Sequence, residues 1–70
     1  MRVSFDEKAN AVYFSLTNNV DRAQVAESEE VRPGVILDLN DKGEVLGLEI
    51  LNVKGRIPLD ELKKVLVDVA

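Results

Sequence analysis

Glu27, Glu29 and Glu30 fall close together in the stretch VAESEEVRPGVILDLN (Val25–Asn40), and Asp38 follows in an apolar run. Carboxylate oxygens are the ligands that Mg2+ and Ca2+ take. Two carboxyl groups in different surroundings can also divide acid and base roles without a histidine. Glu27, Glu29, Asp38 and Glu49, with Asp6 as a further acid, are the set from which a metal-binding or enzymatic site would be built. Such a site needs at least three of them to converge. Strand alternation works against this, because it puts Glu27 and Glu29 on one face and Glu30 on the other. The favoured expectation is an acidic rim: a solvated strand end whose charges discourage edge-to-edge pairing.

Other chemical patterns are weaker. DLNDKGE has Asp38, Asn40 and Gly43 in the register of a calcium loop, but Lys42 stands where a ligand oxygen belongs. The stretch is expected to be a hairpin turn. NVKGRI offers Lys54, Gly55 and Arg56 ahead of a helix without the glycine spacing of a phosphate loop, so a connector is expected. Tyr13, Ser15 and Thr17 place hydroxyls on one strand face. A hydroxyl nucleophile needs an adjacent base, and the chain has no histidine. The stripe reads as a polar outer face. An enzyme is the less favoured class, and no cofactor is expected.

Composition narrows the partners. The chain has no cysteine and no histidine, which removes disulfides, thiolate sites and the commonest zinc ligands. Thirteen acids against nine bases give a net charge of −4. That argues against a nucleic-acid surface and suits a basic protein partner. No apolar run is long enough to span a membrane, and MRVSFDEKAN lacks a signal-peptide core, so a cytoplasmic location is expected. Seventy residues make a single domain, 1–70, whose own core is marginal. Homo-oligomerisation, most simply a homodimer, is the remaining way to add stability.

Elements must then position these residues. Val3 and Phe5 alternate in RVSF, and Val12, Phe14 and Leu16 alternate in AVYFSLT. DEKANA lies between them, with Asn10 suited to a left-handed turn. RAQVAESEEV reads as a strand with Ala23 and Val25 inward, ending near Arg32 before Pro33-Gly34. VILDLN and EVLGLEIL flank DKG, with Gly43 at the left-handed position of a bulged hairpin. Val35, Leu37 and Leu39 face one way, joined by Leu46, Leu48 and Ile50. The second face carries Ile36, Asp38, Asn40, Val45, Gly47, Glu49 and Leu51. Pro58 opens PLDELKKVLVDVA, where Leu59, Leu62, Val65, Leu66 and Val69 fall at helical spacing. The expected fold is α+β: a small antiparallel sheet of four or five strands in two hairpins within 2–51, a connector over 52–57, and one C-terminal amphipathic helix over 58–69 packed on one face. Ile36, Val45 and Leu51 are left over as the expected contact residues for self-association or a partner.

These stretches also resemble the DUF2283 family of small prokaryotic proteins. SFDEKANAVYFSL resembles its opening, and VAESEEVRPGVILDLNDKGEVLGLEIL its central block. The matching positions are Asp6, Asn10, Ala11, Tyr13, Glu27, Pro33, Gly34, Asp38, Gly43, Gly47, Glu49 and Ile50. The family often has Asp where Asn10 stands. The resemblance implies a compact β-rich fold with a C-terminal helix, and it brings no activity or cofactor. Some members are encoded beside small toxin-like proteins, which implies an antitoxin-like binder. The functional expectation is a small, self-associating interaction module for a basic protein partner. The alternative is the carboxylate-based site.

Overall fold

A computed structural model describes residues 1–17, 21–58, 60–62 and 64. Five strands form one antiparallel sheet: β1 (Arg2–Asp6), β2 (Ala11–Ser15), β3 (Glu27–Arg32), β4 (Val35–Leu39) and β5 (Val45–Leu51), in the order β1-β2-β5-β4-β3. Each expected alternating segment contains a strand, although β2 stops at Ser15, short of Leu16 and Thr17. β3, β4 and β5 follow one another as a meander, so the two expected hairpins become three. The pairing of β2 with β5 joins the N-terminal hairpin to that meander.

Three turns carry the backbone chemistry that their residues allow. Asn10 closes the β1–β2 turn at φ 54°, and Asp6 Oδ1 accepts the Ala9 N–H at 3.1 Å. Gly34 turns β3 into β4 at φ 75°, and Gly43 turns β4 into β5 at φ 80°, conformations in which glycine has no steric penalty. Asn40 organises the β4–β5 turn. Its Oδ1 accepts the N–H groups of Lys42 and Glu44, and its Nδ2 donates to Glu44 Oε1. The calcium-loop register is therefore spent on a turn.

The strand expected from Arg22 begins later. Arg22–Gln24 form a 3-10 turn, because Asp21 Oδ1 accepts the Ala23 N–H and Asp21 O accepts the Gln24 N–H, each at 2.9 Å. Ala23 is exposed and Val25 half-buried. A short side chain that bonds the backbone two residues on competes with strand pairing, and here it prevails.

Register defines two faces. The rows Val3–Phe14–Leu48–Leu37–Glu29 and Phe5–Val12–Ile50–Val35 line one face. Val3, Val12, Val53 and Leu62 form its buried cluster, with Phe5, Phe14, Ile50 and Ile57 packed against them. Val53, in the expected connector, is 0% exposed and anchors the segment as firmly as a strand residue. Burying a side chain of this size contributes roughly 1.5–3 kcal/mol. Residues 60–62 and 64 are helical, and Leu62 is buried. Leu59, Val65, Leu66 and Val69 of the expected helix lie outside the described residues. Among the described residues no helix is long and apolar enough to cross a membrane.

Candidate functional site

The second face of the sheet carries the polar chemistry. Its rows are Ser4–Tyr13–Glu49–Ile36–Glu30 and Arg2–Ser15–Gly47–Asp38–Ser28. Asp38 is only 4% exposed, although it belongs to a strand face that holds no large apolar layer. Tyr13 explains the burial. Its side chain starts on β2, passes over Gly47 on β5, and donates its hydroxyl to Asp38 Oδ2 at 2.8 Å on β4. Ser28, on β3, donates to Asp38 Oδ1 at 2.6 Å. One carboxylate thus ties together residues from β2, β3 and β4 across a glycine of β5.

Gly47 is required for this arrangement. A Cβ added there would sit on the Tyr13 hydroxyl and ring. Glycine within a strand marks close approach of another group, and the approaching group here is the tyrosine. Burying a carboxylate without partners is costly. Hydrogen bonds to a charged acceptor are roughly twice as strong as neutral ones, and two hydroxyls supply them. A carboxylate holding a serine hydroxyl is also the geometry of a general base, but both Asp38 oxygens are engaged, so the arrangement first of all fixes the strands.

The other expected site residues are dispersed. Glu27 and Glu29 stand opposite Leu39 and Leu37, on the face away from Asp38 and Glu49. The four carboxylates proposed as one centre are therefore split two and two across the sheet. Among the described residues no three acidic side chains group closely enough to hold a metal ion. Ile36 lies on the polar face between Glu49 and Glu30, and Leu51 is its diagonal neighbour on β5. Val45 does not join them. The register shifts between Asp38 and Leu39, so that Val45 faces Leu39, near the far end of β5 and roughly 20 Å from Leu51 at strand rise. Val45 is 39% exposed.

The hydroxyl stripe resolves into separate bonds, with Ser15 Oγ donating to Thr17 O at 2.7 Å. The basic connector is structural. Arg56 Nη1 donates to Pro33 O at 2.6 Å and sits against Gly34, where a Cβ would meet it. Asn10 Oδ1 accepts the Lys54 N–H, and Asn10 O accepts the Val53 N–H. Alternation alone could not disclose the Arg56 and Asn10 links, because each joins residues distant in sequence. Gly47 inside an apolar strand was the one readable signal.

A family model described as "Protein of unknown function (DUF2283)" matches residues 2–54. The chain belongs to the DUF2283 family. The matched span holds all five strands and the whole Tyr13–Asp38–Ser28 network. Three positions on which the DUF2283 resemblance rests, Tyr13, Asp38 and Gly47, are here parts of one contact. Two others, Pro33 and Gly34, form the turn that Arg56 holds from beyond the matched span. No curated protein and no solved structure matches the chain.

Proposed function

We propose that this DUF2283 protein is a small interaction module whose polar sheet face receives a basic protein partner. The observation that carries the reading is the Glu49–Ile36–Glu30 row: an apolar side chain between two acids, on the face opposite Val12, Val53 and Leu62. Leu51 extends the apolar part. An apolar centre with a charged rim is the anatomy of a protein contact, and the net charge of −4 favours a basic counterpart. The tied Asp38 below keeps the face rigid, so a partner would meet an ordered surface. An antitoxin-like role is one case of this reading.

The test is recovery of the basic partner from the host, followed by calorimetry with the purified pair. The natural chain should bind it less tightly as salt rises. Glu30→Lys combined with Glu49→Lys should weaken binding roughly tenfold or more. An affinity untouched by both charge reversals would overturn the proposal.

A further inference from the structure

Among the described residues the sheet has two open edges, β1 and β3. Single bonds set the hydrogen-bond phase at each. The Leu16 N–H donates to Leu46 O at 2.9 Å, so Phe14 and Val12 exchange bonds with β5, while Ala11, Tyr13 and Ser15 turn towards β1. Their partners Asp6, Ser4 and Arg2 bond inward. Val3 and Phe5 are left with their backbone N–H and C=O groups facing outward. On the other side, the Leu51 N–H donates to Gly34 O at 2.8 Å. The same alternation through β4 leaves Ser28 and Glu30 outward on β3.

The geometry points to a homodimer in which two copies join antiparallel through β1 about a dyad at Ser4, continuing the sheet from one copy into the other. In this register Val3 exchanges backbone bonds with Phe5 of the partner subunit, and Phe5 with the partner's Val3. All four groups are the outward-facing ones. Val3 and Phe5 lie on the core face of each copy, so the two apolar layers meet as one, with an aromatic against a β-branched residue. On the polar face Arg2 stands opposite the partner's Asp6, and Asp6 opposite the partner's Arg2. Arg2 and Asp6 are exposed in the single chain. Asp6 Oδ1 is held by the Ala9 N–H, and Oδ2 is the acceptor for the guanidinium.

RVSFD is thus self-complementary about its central serine, in charge, in apolar pairing and in hydrogen-bond phase together. ESEEVR on β3 is the opposite case. Pairing it with its own copy, Ser28 against Glu30, sets Glu29 against Glu29, and like charges directly opposite are destabilising. The second open edge therefore resists extension, and the assembly closes at two copies. The joint uses neither Glu30 nor Glu49, so it stands or falls separately from the partner surface proposed above.

Cysteine trapping tests the register. Ser4 pairs with itself across the dyad as a non-hydrogen-bonded pair, with Cα atoms roughly 4.5 Å apart, within reach of a disulfide. The natural chain has no cysteine, so Ser4→Cys introduces a single thiol. Under mild oxidation it should cross-link at least roughly tenfold faster than Lys42→Cys in the exposed β4–β5 turn. Light scattering of the natural chain at high micromolar concentration should give twice the 7.8 kDa mass. Arg2→Asp should dissociate the dimer, and adding Asp6→Arg should restore it, with circular dichroism confirming the fold of each variant. A single-chain mass, or Ser4→Cys cross-linking no faster than Lys42→Cys, overturns the dimer in this form. So does Arg2→Asp that leaves it intact, or a double variant that fails to restore it.

Discussion

At the scale of single residues, Gly47 and Tyr13 are one feature. The space that a methyl group at Gly47 would need is filled by the Tyr13 hydroxyl and ring. Gly47→Ala must therefore displace the ring and break its bond to Asp38. Overpacking costs about 1–3 kcal/mol, and the lost hydrogen bond to a charged acceptor costs about as much again, so a loss of roughly 3 kcal/mol is expected in urea unfolding. Tyr13→Phe keeps the ring and removes the donor, and should cost about 1–2 kcal/mol. In a Tyr13→Ala background the obstruction is gone, and Gly47→Ala should then cost less than about 0.5 kcal/mol, since alanine is no worse than glycine in a strand. Equal costs with and without the tyrosine ring would show that the two positions are independent, against the contact described.

At the scale of elements, the connector after β5 is held by the first hairpin. Asn10 serves twice: its left-handed backbone closes the β1–β2 turn, and its side chain takes the Lys54 N–H at 3.0 Å. Asn10→Asp retains both properties and should change stability by less than about 0.5 kcal/mol. Asn10→Gly retains only the backbone freedom and should cost about 1 kcal/mol for the lost bond. Asn10→Ala loses both, adding about 1 kcal/mol or more of left-handed strain. Faster hydrogen exchange at the Lys54 amide in the last two, and not in the first, would check the assignment.

The same contact shows why some elements were legible and others were not. Period-two patterning and turn residues reveal β1, β2, β4, β5 and the positions of Asn10, Gly34 and Gly43, because those signals are local. The β2–β5 pairing, the burial of Val53 and the Arg56–Pro33 bond depend on residues far apart in sequence, and no local pattern encodes them. The acids are a middle case. Alternation divides Glu27 and Glu29 from Glu30, but only the cross-strand register shows that Glu27 and Glu29 also point away from Asp38 and Glu49. The bulge beside Leu39 likewise turns Val45 out of the row that alternation would give it.

At the scale of the whole molecule, a chain of this length hides only about 60% of the surface exposed when unfolded, and the buried cluster rests on Val3, Val12, Val53 and Leu62. Val3 lies on the open β1 edge, so one corner of that cluster ends where the sheet ends. A dimer through β1 would close that corner with Phe5 of the partner subunit and would couple stability to concentration. Diluting the chain roughly 100-fold removes about 2.7 kcal/mol per dimer, or about half of that per protomer. For a domain of this size, roughly 4–8 °C of Tm accompanies each kcal/mol. Thermal unfolding should therefore fall by about 5–10 °C over that dilution. Arg2→Asp should melt at the same temperature at both concentrations, near the dilute natural chain. A Tm of the natural chain that ignores dilution would mean that the cluster is sufficient within one copy and that β1 ends the sheet unaided.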